Sequence, residues 1–289
     1  MEKINNIEKE ISRKAVTLPD QAGRDTVVIK EQEALDIASE YNMSPYDIYR
    51  AALKKKILPY RYIRNLSSIT IDEQLELLES RIGIIGAGGL GGQIIVLLAR
   101  LGIGNLAVID HDVFDETNLN RQALSAIDVI GKSKAETAKV AISKINPAVN
   151  VTAFQTRLDS SNAKNILTDS DVIVDALDNV SDRFILEDFA KNFGIPLVHG
   201  AVAGFEGQLM TIFPDDAGME SIYGKDRPST SPEKSPVSIL GVPAVTPAII
   251  ASFQVIEVMK IILKKENLLR NMLVYMDLEK CESRKLRFK

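Results

Sequence analysis

The sequence predicts an α/β fold, in which helices cover both faces of a mostly parallel sheet that ends in antiparallel strands. Apolar segments of strand length and of helix length alternate from residue 81 to residue 199, an order typical of doubly wound sheets. The first strand, at residues 81–86, runs directly into a glycine-rich turn, as in Rossmann-like folds. Ligands of such sheets bind beyond the carboxyl ends of the strands, so we expect the functional site there.

Length and composition allow one large core and a small appendage. The chain has 289 residues, of which 45% are hydrophobic. Its 35 basic and 39 acidic residues imply no global attraction to nucleic acid or anionic lipid. The single cysteine, Cys281, excludes an internal disulfide and fits a reducing cytoplasm. Because we find neither a signal-peptide pattern nor a run of about eighteen uncharged apolar residues, we expect a soluble cytoplasmic protein that contacts no membrane.

Residues 1–58 are expected to form a small helical appendage beside a main domain at residues 59–289. Apolar residues at helical spacing predict a helix over residues 31–41. Ser44, which precedes a proline, predicts the start of a second helix that continues through Lys56.

These two helices also match a helix-turn-helix pattern. Asn42 would take the left-handed turn position, and four basic residues would contact phosphates: Arg50, Lys54, Lys55 and Lys56. A nucleotide-binding regulator that contacts DNA is therefore one alternative function. However, residues 1–60 carry ten basic and ten acidic side chains, whereas a DNA-binding segment is expected to be basic. This balance favours a helical hairpin that packs on the core or docks a protein partner.

The remaining elements follow in chain order. Thr70 and Glu73 form a capping box, which predicts a helix that ends near Ser80. Further helices are predicted at residues 92–101, 134–145, 159–167, 181–193 and 246–263. Further strands are predicted at residues 106–109, 149–154, 172–176, 196–199, 207–213 (antiparallel), 272–276 and 285–288. The proline-rich residues 214–247 predict a long functional loop.

The glycine-rich turn predicts a phosphate-binding loop. Glycine lets the backbone bend sharply and approach a phosphate closely. The turn contains four glycines: Gly86, Gly88, Gly89 and Gly91. The next strand ends at Asp110, about twenty residues farther on, where a ribose-binding carboxylate belongs. This fingerprint alone favours NAD, so an NAD-dependent oxidoreductase is a second alternative. That class leaves the polar loop at residues 110–122 unexplained.

Five motifs in the same order resemble the ThiF/MoeB/HesA family: the glycine turn at 86–91, residues 101–112, Asn-Leu-Asn-Arg-Gln at 118–122, Lys-Ser-Lys at 132–134 and Asp-Ala-Leu-Asp-Asn at 175–179. These proteins are bacterial relatives of ubiquitin-activating enzymes, and they adenylate the C-terminal glycine of a small ubiquitin-like protein. The resemblance covers roughly residue 59 to the end of the chain. It implies ATP and Mg²⁺ as cofactors and a ubiquitin-like sulfur carrier ending in Gly-Gly as partner, or, less favoured, a short peptide. It also implies that residues 214–247 form the crossover loop through which the partner's tail threads.

The resemblance also implies a role for each candidate site residue. The four glycines would hold phosphate, and Asp110, with Asp112 nearby, would bind the ribose side of the nucleotide. Arg121 and Lys134 would neutralise the β- and γ-phosphates, and two amides would orient Arg121 and the nucleotide: Asn118 and Gln122. Asp178, followed by Asn179, would bind Mg²⁺. Taken singly, each residue also has an ordinary structural explanation, such as a helix cap or a turn.

Arg64 is expected to act across a dimer interface. It matches the second arginine of the family's Arg-Tyr-x-Arg motif, which reaches the ATP phosphates of the partner subunit, so the resemblance implies a homodimer. The chain departs from many members in lacking two Cys-x-x-Cys pairs, so no zinc site is expected. Because the loop at residues 214–247 holds no cysteine either, we expect the chemistry to stop at the acyl-adenylate. A separate protein would deliver the next nucleophile.

Overall fold

The computed structural model describes residues 2–224 and 236–288, with side chains at residues 5–224 and 237–288. The helices are α1 (Glu2–Lys14), α2 (Glu31–Tyr41), α3 (Pro45–Lys54), α4 (Ile71–Glu79), α5 (Gly89–Leu101), α6 (Lys134–Ile145), α7 (Ala163–Leu167), α8 (Val180–Asn192), α9 (Glu220–Tyr223), α10 (Pro236–Leu240) and α11 (Val245–Ile262). The strands are β1 (Val16–Pro19), β2 (Asp25–Ile29), β3 (Leu58–Pro59), β4 (Arg81–Ile85), β5 (Asn105–Ile109), β6 (Asn150–Phe154), β7 (Val172–Asp175), β8 (Leu197–Ala203), β9 (Glu206–Ile212), β10 (Met272–Asp277) and β11 (Glu282–Arg287).

Eight strands form the main sheet, in the order β11-β10-β9-β8-β7-β4-β5-β6. Strands β6, β5, β4, β7 and β8 run parallel to one another. Strands β9, β10 and β11 each pair with their neighbours in antiparallel fashion. This confirms the predicted mostly parallel sheet with antiparallel closing strands. Ile85 pairs with both Ile109 and Asp175, so β4, β5 and β7 end at the same level. The loops that follow these three strands therefore leave the sheet side by side.

The core lies on both faces of the sheet. Helices α5, α6 and α11 cover one face, and α7 and α8 cover the other, as a doubly wound fold requires. By length and composition α11 could cross a membrane. Its fully buried Glu257 instead accepts hydrogen bonds from the Thr211 hydroxyl and the Leu269 amide, each at 2.7 Å. These polar contacts are those of a core helix.

The N-terminal appendage contains the two predicted helices, a further helix of 13 residues, α1, that was not predicted, and a small sheet. Asn42 takes the left-handed conformation with φ 51°, and the Ser44 hydroxyl caps α3, both as predicted. Helix α3 ends at Lys54, two residues early, because Lys56 has a positive φ of 59°. The short strands β1, β2 and β3 were not predicted. They contain two to five residues each, which is too few for a clear period-two pattern.

The basic residues of the helix-turn-helix pattern form ion pairs within the chain. Arg50 and Lys54 both contact Glu79, Lys55 contacts Glu8 at 3.2 Å, and Lys56 contacts an aspartate, Asp72. The appendage core is also continuous with the main domain through buried side chains: Tyr62, Leu78 and Ala148. These contacts support packing on the core as the role of the helical pair.

The predicted loop at residues 214–247 is partly helical. Helices α9 and α10 and the start of α11 lie within it, and the two short helices have only four and five residues. Elements of this length leave no periodicity in a sequence. Residues 225–235 of the predicted crossover loop lie outside the described residues.

Candidate active site

A cavity of about 930 Å³ opens at the carboxyl ends of the parallel strands. Its volume is in the range of small-molecule sites. Most of the predicted site residues line it: Gly86, Gly88, Gly89, Asp110, Asp112, Arg121, Gln122, Lys134, Asp178 and Asn179. Arg64, Gly91 and Asn118 are not part of the lining.

The glycine loop connects β4 to α5. Gly86 has φ 97°, and a Cβ there would lie 2.6 Å from the carbonyl oxygen of Ala176. A Cβ on Gly91 would lie 1.8 Å from the carbonyl oxygen of Gly86, so Gly91 allows close packing of helix and strand rather than ligand contact. Among the residues that the structure describes, no side chain caps α5 at Gly88, and the first N–H groups of a helix lack partners within it. An anion in the cavity would satisfy them.

Asp110 is held firmly beside this loop. Its Oδ2 accepts a hydrogen bond from the Ala87 amide at 2.7 Å, and its Oδ1 accepts one from the Asp112 amide at 2.8 Å. The side chain is buried. A carboxylate accepts about four hydrogen bonds, so both oxygens keep capacity for ribose hydroxyls.

Lys134 supplies a cation at the cavity wall. The residue is only 7% exposed, and its Nζ lies 3.0 Å from Oδ2 of Asp112. His111 contacts the other oxygen of the same carboxylate at 3.2 Å. Lys134 is the first residue of α6, and Ser133 caps that helix through the Glu136 amide. Asp112 therefore balances the lysine charge at the cavity wall.

The loop at residues 118–122 is organised by Asn118. Its side-chain oxygen accepts a hydrogen bond from the Asp115 amide at 3.1 Å, and its carbonyl accepts bonds from the Arg121 and Gln122 amides at 3.1 and 3.0 Å. Asn118 thus does not line the cavity itself, but it holds the backbone of Arg121 and Gln122, which do. Arg121 is fixed through Nη1 to the Thr117 carbonyl at 2.8 Å.

Gln122 presents an unused acceptor. Its Oε1 is buried and has no hydrogen-bond partner within the described chain. A buried oxygen without a partner is costly, so a ligand that donates a hydrogen bond there would be stabilised. The side chain lies beside Gly88, 3.7 Å from the place where a Cβ would stand. A nucleotide on the glycine loop would bring hydroxyl or amino groups within its reach.

Asp178 and Asn179 follow β7 and divide two tasks. Asn179 caps α8, because its side-chain oxygen accepts the Asp182 amide at 2.9 Å. Asp178 is exposed to the cavity, and within the described part of the chain its carboxylate accepts a side-chain hydrogen bond only from Asn179 Nδ2, at 3.4 Å. Asp178 forms no ion pair with a residue that the structure describes, although the Arg157 guanidinium lies within electrostatic range. Such a carboxylate suits Mg²⁺, which prefers one or two carboxylates together with phosphate oxygens. The nearby cluster of Asp110, His111 and Asp112 suits it less, because both carboxylates are already engaged.

Arg64 lies far from the cavity of its own chain. It is exposed in the 3₁₀ segment Tyr60–Asn65, and it forms no ion pair with any residue that the structure describes. This segment packs at the far end of α5, where a Cβ on Gly102 would lie 2.7 Å from the Tyr62 ring. The glycine loop is at the other end of this 13-residue helix, about 20 Å away.

Behind the cavity lies a buried polar network that the motifs only partly indicated. Nδ1 of His199 lies 2.7 Å from Oδ2 of Asp175, and both side chains are fully buried. Burial lowers the pKa of His199, against the opposing effect of Asp175. Arg183 lies 3.5 Å from the same carboxylate and donates to Tyr223. His199 is thus a structural residue that pairs with Asp175. Arg183 and Tyr223 gave no sequence signal, since only tertiary contacts bring them here.

Comparisons with known proteins identify a family for this chain. The family model described as "ThiF family" matches residues 60–289. The SAMP-activating enzyme E1 of Haloferax volcanii is 38% identical over 220 residues, which cover 75% of this chain and 80% of that protein. The probable adenylyltransferase/sulfurtransferase MoeZ of Mycobacterium tuberculosis is 37% identical over 226 residues, 76% of this chain. The chain spans only 57% of MoeZ.

Solved structures share the fold. Escherichia coli MccB, solved with ATP, matches with a TM-score of 0.65 at 19% identity, over 88% of this chain and 82% of that one. At this identity the likeness concerns the fold alone. The family match and the Haloferax relative go further, because they cover most of the chain at substantial similarity. The chain belongs to the ThiF family.

Proposed function

We propose that this protein is an ATP-dependent adenylyltransferase that activates the C-terminal glycine carboxylate of a small ubiquitin-like sulfur carrier. The observation that carries the proposal is the meeting of three groups in one cavity: the glycine loop, the Asp110 carboxylate and the exposed Asp178. The names of the Haloferax and mycobacterial relatives include activating enzyme and adenylyltransferase. We place the reaction in the cytoplasm, in keeping with the composition of the chain.

The reaction needs orientation and charge neutralisation rather than an acid or a base. A carboxylate oxygen of the carrier attacks the α-phosphorus of ATP, and the bond from that phosphorus to the bridging oxygen breaks. The electron pair of this bond leaves with pyrophosphate, and no proton is transferred. Holding the two reactants in line and offsetting the charge on the triphosphate therefore supply the catalysis.

The residues of the cavity suit these tasks. The amides at the start of α5 would hold phosphate oxygens, and Asp110 would accept ribose hydroxyls. Arg121 and Lys134 would offset the negative charge of the β- and γ-phosphates. Asp178 would hold Mg²⁺, which when bound offsets charge on the phosphate oxygens.

A homodimer would complete the site. An apolar stripe runs along the outer face of α11, with exposed fractions of 39–54%: Val245, Ile249, Phe253 and Ile256. Exposed apolar surface of this kind is typical of protein interfaces. The helix begins near the glycine loop, since Pro247 lies 3.6 Å from the Cβ position of Gly89.

The other end of α11 points to the region of Arg64. Lys265, just beyond the helix, pairs with Glu73 on α4, and Arg64 lies shortly before α4 in the chain. Two copies of α11 packed antiparallel about a two-fold axis would therefore bring the Arg64 end of each subunit toward the cavity of its partner. This arrangement supports the proposed role of Arg64 at the ATP phosphates of the other subunit.

A short peptide is a second candidate substrate. MccB, whose fold this chain shares, has been solved in complex with MccA.

The experiment that tests the proposal is ATP–pyrophosphate exchange with purified full-length protein and candidate small proteins ending in Gly-Gly. We expect exchange that depends on the carrier and is lost when its last glycine is removed. Exchange with peptides only would select the second candidate. No exchange, together with NADH binding seen as fluorescence transfer, would favour the oxidoreductase, whereas ATP binding without turnover and with duplex DNA binding would favour the regulator.

A further inference from the structure

We propose that Tyr223 donates a hydrogen bond to the acyl carbonyl oxygen of the acyl-adenylate, and so recognises the end of the substrate's tail. The inference rests on the proposed adenylation and adds a residue to it. Tyr223 ends α9 and lines the cavity together with residues of β8 and β9. These strands lie on the other side of β7 from the glycine loop. Tyr223 thus faces the half of the cavity that the nucleotide motifs leave unused.

The hydrogen bonds that the Tyr223 hydroxyl forms within the described chain do not use its hydrogen, which can be donated. Its oxygen accepts a bond from Nη1 of Arg183 at 2.9 Å and a second from Nε2 of Gln208 at 2.8 Å. A phenol has a single hydrogen, and no acceptor for it occurs among the described residues. Because two donors occupy the oxygen, the hydrogen is left for a ligand. Hydrogen bonds accepted by a hydroxyl also make it a stronger donor.

The phenol is fixed in place by buried neighbours. Its ring packs edge-on against Phe184 and His199, with centroids 6.3 Å away in both cases. Arg183 is 6% exposed and is itself anchored, through Nη2, to the Leu177 carbonyl at 2.6 Å. Burial raises the pKa of Tyr223, so the phenol remains protonated at neutral pH. A donor held in this way needs no reorganisation when the ligand arrives.

The same contacts place the hydroxyl close to the reacting groups. The guanidinium of Arg183 contacts both the Tyr223 oxygen and the carbonyl oxygen of Leu177, which precedes Asp178 in the chain. The Tyr223 hydroxyl is therefore only one guanidinium away from the backbone next to Asp178. A tail carboxylate that reaches the phosphate end of the nucleotide near Asp178 would present one oxygen to phosphorus and the other to Tyr223. The first oxygen forms the new bond to phosphorus, and the second becomes the carbonyl oxygen of the mixed anhydride. Tyr223 keeps its proton throughout, so its contribution is orientation.

The test uses a stable mimic of the adenylate, so it does not depend on knowing the carrier. The probe is 5′-O-[N-(acetylglycyl)sulfamoyl]adenosine, which carries the acyl carbonyl, and AMP, which lacks it, is the reference ligand. Both are titrated calorimetrically into the full-length protein. For Tyr223→Phe we expect about tenfold weaker binding of the mimic and AMP binding within about twofold of wild type, as loss of one hydrogen bond implies.

Two matched variants separate this role from a structural one. Tyr275 also lines the cavity, but its pKa is raised by burial and by the Glu206 carboxylate beside it, an acceptor of a kind that the Tyr223 hydroxyl lacks among the described residues. Gln208→Met removes one of the two donors to Tyr223 and leaves the phenol hydrogen in place. We expect Tyr275→Phe and Gln208→Met to bind the mimic within about threefold of wild type.

Several results would overturn the inference. These are unchanged affinity of Tyr223→Phe for the mimic, an equal loss of affinity for AMP, or the same loss in Gln208→Met as in Tyr223→Phe. If the wild-type protein bound neither AMP nor the mimic, the adenylation proposal itself would fail, and this inference with it. Binding of AMP and the mimic by wild type, with no effect of Tyr223→Phe, would overturn the inference alone.

Discussion

Lys134 Nζ lies 3.0 Å from Oδ2 of Asp112, which joins the first residue of α6 to the loop that follows β5. The lysine is almost completely buried, whereas the aspartate side chain is 51% exposed. The Lys134 ammonium is therefore held at the cavity wall by a carboxylate that is itself in contact with solvent. This pair links two motifs that are more than twenty residues apart in the chain.

The first prediction concerns Lys134. Lys134→Met keeps most of the apolar stem and removes the charge, so we expect pyrophosphate exchange to fall about a hundredfold, as for loss of a group that stabilises developing charge. Asp112→Asn is the matched variant, because it keeps the shape and leaves the lysine charged. It should retain exchange within about tenfold of wild type. Equal losses in both variants would show that the pair acts structurally.

The second prediction concerns the metal. Asp178→Asn preserves shape but removes a carboxylate oxygen, so most pyrophosphate exchange should disappear while the fold and much of the ATP binding remain. Raising the Mg²⁺ concentration should partly restore the rate if the residue binds the ion. Activity within about threefold of wild type would remove Asp178 from this role, since a lost transition-state contact costs roughly tenfold per 1.4 kcal/mol.

The third prediction concerns the thiol. Cys281 is exposed in the turn between β10 and β11. Cys281→Ser should leave exchange unchanged, and non-reducing gels should show no adduct between enzyme and carrier. A reducible adduct that the substitution abolishes would establish Cys281 as a nucleophile that forms a thioester.

The fourth prediction concerns the dimer. Arg64→Ala and Asp178→Ala should each be inactive alone, because each removes one half of every composite site. A mixed dimer has one site with both defects and one with neither, so mixing should restore up to about half of wild-type exchange per mixed dimer. Mixed dimers that co-purify through two different tags yet remain inactive would contradict the trans role of Arg64.

Where a site residue comes after an apolar strand, the sequence alone predicts that the residue lies at the end of that strand. The glycine turn, Asp110 and Asp178 follow directly after apolar strands, and register then places them together. The hydrogen bond that joins Arg183 to Tyr223 was not predictable, because the two residues are 40 positions apart and neither belongs to a motif. For Asn118 the motif indicated a functional residue, but it did not indicate that the side chain would bind the Asp115 amide within the loop instead of lining the cavity.

Apart from the 13-residue helix α1, fold predictions failed where elements are short or where backbone geometry overrides the sequence pattern. Strands β1 to β3 and helices α9 and α10 have five residues or fewer. Strand β8 continues to Ala203, beyond the predicted end at His199, because Gly200, Ala201, Val202 and Ala203 pair with β9. Strand β9 begins at Glu206, with only two residues between it and the end of β8, but a glycine and two alanines among residues 200–203 have low strand propensity, so no local signal marks the longer strand.

The fate of the α-phosphate of ATP tests the central claim most directly. The protein is incubated with a carrier ending in Gly-Gly and with ATP labelled at either the α- or the γ-phosphate. We predict that label from the α-phosphate co-purifies with the carrier as an alkali-labile adduct, and that label from the γ-phosphate is released as pyrophosphate. Label from the γ-phosphate on the carrier, or none from the α-phosphate under conditions in which ATP binds, would contradict adenylation.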